Sequence, residues 1–134
     1  MSIKSVFPDA SNPMVTLVRE GPLFIMTMKT GENRFTTKFI NALLGALDEI
    51  EKVREQEDLG PAALITAGEG KFFSNGLDLE HALSVPGFFD NYFLKLLSRV
   101  LTFPIPTVAA INGHAFAGGF MFALAHGKKN TKFI

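Results

Sequence analysis

Two short apolar runs near the start of the chain predict a β-hairpin. Residues 15–19 and 23–28 are rich in apolar and β-branched side chains, and Glu20, Gly21 and Pro22 separate them. A glycine-containing turn between two such runs is typical of antiparallel strands. Residues 29–34, which include Gly31 and Asn33, then predict a loop.

The next segment has the apolar spacing of an amphipathic helix. Thr36 or Thr37 provides an N-cap hydroxyl, and Gly60 with Pro61 ends the segment. Apolar residues recur every three or four positions and charged residues fill most of the gaps, so one face is predicted to be buried. The apolar positions are Phe39, Ile40, Leu43, Leu44, Leu47, Ile50 and Val53.

Beyond this helix, strand and helix patterns alternate. Residues 62–66 predict a strand covered on both faces, because apolar and polar side chains do not alternate there. Residues 87–103 predict a second helix, residues 107–111 a second buried strand, and Gly118 with Gly119 the start of another helix. This order, with short loops, indicates an α/β fold that contains parallel strand pairs.

The length of 134 residues suits one domain. Neither end of the chain shows a clear periodicity of hydrophobic residues. Residues 1–13 contain two prolines and predict a loose leader. Residues 14–126 form the predicted domain. Residues 127–134 are basic and unpatterned, and we expect no further strand in this tail.

Composition narrows the possible partners. Lys and Arg together number 13, as do Asp and Glu, which argues against a nucleic-acid or acidic-membrane partner. The chain has no cysteine, and its histidines (His81, His114 and His126) lack metal-ligand spacing, so we expect neither disulfide nor metal. No apolar run approaches the roughly 20 residues of a membrane span, and no secretory signal opens the chain. We therefore expect an intracellular protein.

Two glycine-rich turns stand where a predicted strand meets a predicted helix. One includes residues 72–79 (FFSNGLDL) and the other residues 112–119 (NGHAFAGG). The start of a helix leaves backbone N–H groups without partners and carries a partial positive charge, and glycine lets a ligand approach the backbone. Two such N–H groups that converge on one carbonyl oxygen form an oxyanion hole.

These turns resemble the two signatures of the crotonase (enoyl-CoA hydratase/isomerase) superfamily. Residues 73–79, FSNGLDL, are similar to F-x-x-G-x-D-L, and residues 106–119, PTVAAINGHAFAGG, are similar to P-x-I/V-A-x-I/V-N-G-x-A-x-G/A-G-G. The resemblance extends from about residue 15 to residue 126. It implies an α/β crotonase-like spiral of ββα units, incomplete at the C-terminus, and acyl-CoA thioesters as substrates.

The resemblance also implies the site residues. The backbone N–H groups of Leu77 and Gly118 would hold the thioester oxygen and stabilise the enolate formed when the neighbouring proton is removed. The first turn would contact the substrate through Asn75, Gly76, Leu77, Asp78 and Leu79. Coenzyme A is part of the substrate, so no separate cofactor is expected. The 14 phenylalanines either fill the core or line the acyl pocket.

The sequence departs from the hydratases at the general base. They carry a glutamate three residues after the oxyanion glycine, where this chain has Met121, whose thioether cannot transfer a proton. The sequence looks most like the Δ3-Δ2-enoyl-CoA isomerases of fatty-acid β-oxidation, which move a proton from C2 to C4 with one glutamate further along the chain. That glutamate would lie beyond residue 134, so we expect weak or no activity from this polypeptide.

Two other functions stay open: a non-catalytic acyl-CoA-binding or interaction fragment, and an enoyl-CoA hydratase. Glu69, Glu80 and His114 lie in or beside the turns and are candidates for a substitute base, against a default structural role for each. Asp78 either transfers protons or caps the helix that begins at Leu79. Full-length relatives of the isomerase type form trimers and are commonly peroxisomal, so we expect the peroxisome, with the mitochondrion or cytoplasm as alternatives.

Overall fold

The computed structural model describes residues 2–131, so Met1 of the predicted leader and residues 132–134 of the predicted tail lie outside it. The strands are β1 (Ser2–Asp9), β2 (Asn12–Glu20), β3 (Leu23–Met28), β4 (Ala63–Gly68), β5 (Phe72–Ser74), β6 (Thr107–Ile111), β7 (His114–Ala115) and β8 (Lys128–Thr131). The α-helices are α1 (Thr37–Gln56), α2 (Leu79–Ser84), α3 (Leu94–Leu101) and α4 (Gly118–Ala125). A π-helical turn, Phe89–Phe93, leads directly into α3.

The described strands form two sheets. One has six strands in the order β1-β2-β3-β4-β6-β8, and the other pairs β5 with β7. The predicted hairpin is confirmed: β2 and β3 are antiparallel, with Val15 opposite Met28. The predicted parallel pairs are confirmed as well, because β4 lies parallel to both β3 and β6.

Helix α1 packs on β1 and β2 through its apolar stripe. The Thr36 Oγ1 accepts a hydrogen bond from the Phe39 N–H at 3.1 Å and so caps the helix, as one of the two predicted threonines. Each large side chain buried in this way stabilises the fold by roughly 1.5–3 kcal/mol. The buried residues of α1 are Phe39, Ile40, Ala42, Leu43, Ala46, Leu47 and Ile50.

The second predicted helix is divided into two parts. Where the sequence predicts one helix over residues 87–103, the structure has the π-helical turn and then α3. Such turns occur frequently at functional sites, because the wider winding redirects side chains. Arg99 of α3 bonds Asp48 at 2.9 Å and Glu51 at 2.6 Å, which ties α3 to α1.

The predicted loose leader is wrong for residues 2–9. They form β1, which pairs antiparallel with β2, with Phe7 opposite Val15. The Asp9 Oδ1 accepts the N–H groups of Ser11 and Asn12 at 3.0 Å each and closes the turn between the strands. A Cβ at Gly45 would lie 3.2 Å from the Phe7 ring, so this ring rests on α1. Ring packing and the turn hydrogen bonds therefore order a segment whose local pattern is weak.

The predicted strandless tail is also wrong over residues 128–131. They form β8, which pairs parallel with β6, with Val108 opposite Lys128. Directly before it, the His126 ring lies 2.9 Å from both the Phe122 carbonyl oxygen and Thr66 Oγ1, and the Gly127 N–H donates to Thr107 Oγ1 at 2.9 Å. These contacts hold the chain at the free edge of β6, where strand pairing follows.

Aromatic rings form much of the core. The Phe35 ring contacts those of Phe39, Phe93 and Phe122, with centroids 5.7, 5.2 and 5.3 Å away. Core filling thus accounts for many phenylalanines, although Phe89 and Phe93 also line a cleft described below. No helix over residues 2–131 is long and apolar enough to cross a membrane.

Candidate functional site

The first glycine turn, between β5 and α2, is held by the loop of residues 32–35. The Asn75 N–H donates to the Glu32 carbonyl at 2.8 Å, the Phe35 N–H to the Gly76 carbonyl at 2.8 Å, and the Asp78 N–H to the Phe35 carbonyl at 3.1 Å. The Gly76 carbonyl and the Leu77 N–H belong to one trans peptide unit, in which the two groups point in opposite directions. The Leu77 N–H therefore points to the side opposite Phe35.

The second glycine turn, between β7 and α4, brings a helix start close to the first. Ala117 has φ 46° and ψ −115°, a left-handed conformation that is costly for a residue with a Cβ. Gly118 and Gly119 open α4 and are buried. A Cβ at Gly119 would collide with the Ser74 carbonyl oxygen, so glycine permits this close packing of α4 on β5.

The two turns touch each other. A Cβ at Gly76 would lie 3.2 Å from the Gly118 nitrogen, and one at Gly118 would lie 3.4 Å from the Leu77 nitrogen. Within residues 2–131, neither the Leu77 N–H nor the Gly118 N–H donates to a protein acceptor. The arrangement therefore offers two neighbouring amides that are available to a ligand oxygen.

These amides lie in the wall of a cleft of about 440 Å³. The lining residues are Arg34, Asn75, Leu77, Leu79, Phe89, Phe93, Ala117, Gly118 and Met121. Of the predicted site residues, Asn75, Leu77, Leu79 and Gly118 thus line one cavity, and Gly76 does not line it. Mostly apolar walls around a few polar groups are usual for sites that bind small molecules.

Asp78 does not line this cleft. Its Oδ1 accepts the His81 N–H at 3.0 Å and caps α2, which decides between the two roles predicted for it in favour of the cap. His81 in turn accepts a hydrogen bond at Nε2 from the Thr37 N–H at 3.1 Å. Asp78 and His81 together therefore join α2 to the start of α1.

A small polar cluster borders the cleft. The Glu32 carboxylate accepts hydrogen bonds from Arg34 Nε at 3.2 Å and from Asn75 Nδ2 at 2.9 Å. Arg34 first, and Asn75 second, lower the pKa of Glu32 below its ordinary value. The exposed Glu32 carboxyl is thus held in the charged form and is a poor proton acceptor near neutral pH.

The candidates for a substitute base lie away from the two amides. Glu69 pairs with Lys29 at 3.5 Å, Glu80 is exposed on α2, and His114 stacks on Phe116 with ring centroids 5.4 Å apart. Of the described residues that line the cleft, none carries a carboxylate or an imidazole. Among residues 2–131, no group of three His, Asp or Glu side chains is arranged to hold a metal ion.

Sequence reasoning missed two residues of the site. Arg34 lines the cleft, and Asn33 is completely buried with φ 52° in the loop that holds the first turn. An asparagine two residues after a glycine, in a loop between a strand and a helix, indicates a left-handed turn position. It does not indicate which distant segments its amide will bond.

The family model for enoyl-CoA hydratase/isomerase matches residues 19–126. This chain belongs to the enoyl-CoA hydratase/isomerase family. Among its relatives in Arabidopsis thaliana, "Enoyl-CoA delta isomerase 3" is 43% identical over an alignment of 122 residues that covers 84% of this chain and 49% of the relative. "Enoyl-CoA delta isomerase 2, peroxisomal" is 39% identical over an alignment of 123 residues that covers 84% of this chain and 50% of that relative.

The fold of the family is present here. The crystal structure of an enoyl-CoA hydratase from Geobacillus kaustophilus HTA426 superposes with a TM-score of 0.79 at 20% identity, over 98% of this chain and 48% of that one. The predicted crotonase-like α/β fold is therefore confirmed. This member of the enoyl-CoA hydratase/isomerase family spans about half the length of the curated relatives it matches.

Proposed function

We propose that the cleft binds an acyl-CoA thioester with its carbonyl oxygen between the N–H groups of Leu77 and Gly118. The observation that carries this proposal is the contact between the two turns, which leaves both amides free side by side in one cavity. The apolar side chains of Leu79, Phe89 and Met121 offer contacts to an acyl chain.

The two amides would stabilise negative charge on the thioester oxygen. Hydrogen bonds to the developing oxyanion lower the energy of the enolate that forms when a proton leaves C2, and each fixed donor is worth roughly 2.7–4 kcal/mol in a transition state. The Gly118 N–H also lies at the start of α4, where the helix dipole favours an anion. The reaction class that fits is proton transfer next to a thioester carbonyl.

Within that class we propose a Δ3-Δ2-enoyl-CoA isomerase of fatty-acid β-oxidation. Its carboxylate would take a proton from C2 and return it to C4, and the double bond would move into conjugation. The names of both Arabidopsis relatives support this choice, as does Met121 in place of a hydratase glutamate. Since no described residue lining the cleft can carry the proton, we expect the 134-residue chain to bind substrate with little or no turnover.

The test uses dimethylaminocinnamoyl-CoA, whose absorption band moves to the red when its carbonyl is polarised. We expect saturable binding to the chain with a red shift, because both amides would bond the carbonyl oxygen. Free dimethylaminocinnamic acid, which lacks the CoA thioester, is the matched control. Absence of binding, or binding without a shift, contradicts the proposed oxyanion site.

A second candidate is a non-catalytic acyl-CoA-binding or interaction protein, which the apolar, base-free lining of the cleft favours. Conversion of a 3-enoyl-CoA to the conjugated 2-enoyl-CoA, followed by absorbance, separates the two: weak conversion above the rate without protein favours the isomerase, and binding with no conversion at all favours the second candidate. Formation of 3-hydroxyacyl-CoA from crotonyl-CoA would instead indicate a hydratase.

The cofactor requirement, the oligomeric state and the cellular compartment are proposed from the same family resemblance. Coenzyme A is a part of the substrate, and we propose no separate cofactor. A trimer and a peroxisomal location are proposed, as for the isomerase type, and the name of one Arabidopsis relative supports the location. Fluorescence microscopy of the tagged protein checks the compartment, and light scattering checks the assembly.

A further inference from the structure

We propose that Asn33 is a positioning residue that sets the direction of the Leu77 N–H. Asn33 does not line the cleft, and it acts through the loop of residues 32–35. This inference rests on the proposed function, since it adds a residue that positions one of the two amides of the same oxyanion site.

The Asn33 side chain bonds the backbone on both sides of its loop. Its Oδ1 accepts the Thr30 N–H at 2.9 Å and the Thr30 Oγ1–H at 3.1 Å. Its Nδ2 donates to the Phe73 carbonyl at 3.1 Å, with the Phe72 and Met28 carbonyls at 3.3 and 3.4 Å. The side chain is fully buried, so loss of these bonds leaves polar groups without partners.

The backbone of Asn33 is held as well. The buried Ser74 hydroxyl donates to the Asn33 carbonyl at 2.7 Å and accepts the Gly76 N–H at 3.2 Å. Asn33 is thus bonded to the last residue of β3 and to all three residues of β5, the strand that directly precedes the first turn. The loop of residues 32–35 cannot shift unless several of these bonds break.

Phe35 links the loop of residues 32–35 to Leu77. The Phe35 N–H and carbonyl bond the Gly76 carbonyl and the Asp78 N–H, one residue on each side of Leu77. Gly76 has φ 86°, and a glycine in this region can also adopt many other conformations. Without the bonds to Phe35, rotation at Gly76 would turn the Leu77 N–H away from the Gly118 N–H. The amides of Leu77 and Gly118 therefore converge only if the loop of residues 32–35 keeps its position.

The experiment compares Asn33→Gly and Asn33→Asp with the unchanged chain, using dimethylaminocinnamoyl-CoA. Glycine accepts the positive φ and removes the whole amide, whereas aspartate keeps an acceptor for Thr30 and loses the donor to Phe73. Thr107→Val is the matched control, because it removes a buried hydroxyl that accepts the Gly127 N–H and does not line the cleft. For each protein the dissociation constant, the red shift at saturation and the melting temperature are measured.

We expect both Asn33 variants to lose at least half of the red shift while the dissociation constant rises less than about fivefold, because the other contacts of the ligand stay in place. Thr107→Val should keep the full shift even though it melts at a lower temperature. A full shift in both Asn33 variants overturns the inference, and so does unfolding of both at the assay temperature, since Asn33 would then act on the whole fold. If the unchanged chain shows no shift, the proposed function itself fails.

Discussion

Met121 lines the cleft at the position where the hydratases carry a glutamate. It lines the cavity beside Gly118, one turn into α4, and its thioether has no proton to give and no strong site to receive one. The neighbouring walls are mostly apolar, and Met121 itself is 40% exposed, so a carboxylate placed there would face the cleft. With methionine at this position, the described residues that line the cleft offer the two amides no partner for proton transfer.

Met121→Glu is expected to create proton exchange at C2 of a bound acyl-CoA. General-base catalysis typically contributes about 100-fold or more, and the carboxylate would stand beside the proposed enolate. Deuterium incorporation into butyryl-CoA in heavy water, followed by mass spectrometry, measures the gain. Leu124→Glu is the control, because Leu124 lies on the same helix and does not line the cleft. Equal exchange in both variants would count against a thioester bound near residue 121.

The stabilising effect of the Glu32 carboxylate on its loop should depend on pH. Arg34 and Asn75 lower the pKa of its carboxyl below the ordinary 4.5, so the charged cluster stabilises the loop at pH values above 4.5. This contribution is lost as the pH falls through the lowered pKa, because protonation removes the charge that both partners bind.

Arg34→Gln removes the larger cause of this shift. We expect the Glu32 carboxyl of this variant to titrate at a higher pH than in the unchanged chain, which carboxyl-carbon NMR measures. Asp9, whose pKa is lowered by hydrogen bonds from the Ser11 hydroxyl and the Asn12 N–H, is an internal reference that should titrate alike in both proteins. An unchanged Glu32 titration would show that Arg34 does not hold this carboxylate in solution.

Among the secondary-structure elements, the pair of α4 and β5 matters most for the site. Gly119 allows α4 to approach the Ser74 carbonyl, and the Phe116 N–H donates to that same carbonyl at 3.1 Å. Ser74 directly precedes the first turn, so the packing of α4 on β5 brings the two turns next to each other. The closeness of the two amides thus depends on a helix–strand contact without a side chain between them.

Gly119→Ala is expected to destabilise the fold by about 1–3 kcal/mol or more, since its Cβ would overlap backbone atoms that cannot rotate away. Gly127→Ala is the matched control. A Cβ at Gly127 would have its nearest neighbour at 3.7 Å, so we expect a change within about 0.5 kcal/mol. Urea unfolding followed by circular dichroism gives both values. Equal stability of the two variants would contradict the close packing of α4 on β5.

The molecule as a whole carries an apolar surface on the outer side of α4. Phe120 and Leu124, one helical turn apart, are 46% and 50% exposed, and Phe116 just before the helix is 52% exposed. A helix that is apolar around its whole circumference usually has both faces covered. A group of large exposed apolar side chains also favours association.

We therefore expect the chain to self-associate as its concentration rises. Leu124→Glu, which places a charge in the centre of this surface, should shift the population toward the monomer. Light scattering coupled to size-exclusion chromatography measures the mass, and Leu83→Glu is the control, because Leu83 is 89% exposed on a different helix, α2. A mass that is monomeric at all concentrations would show that the surface of α4 does not drive association.

The chain's local patterns were sufficient for much of the architecture. The parallel order of β4 and β6 follows from the alternation of strand and helix patterns along the chain. The hairpin of β2 and β3, helix α1 with its Thr36 cap and the two glycine turns follow from short-range periodicity and turn chemistry. These features are readable because each depends on residues within a few positions of one another, where hydrophobic spacing and capping act directly.

Other features required the folded molecule. Residues 2–9 and 128–131 become strands because neighbouring strands offer free edges, and their own sequences do not demand it. The role of Asn33 depends on carbonyls of Phe72 and Phe73, which lie far away along the chain. The meeting of the Leu77 and Gly118 amides likewise arises from packing between distant segments. Such contacts are selected by the shape and hydrogen-bond needs of the whole core, which no local pattern contains.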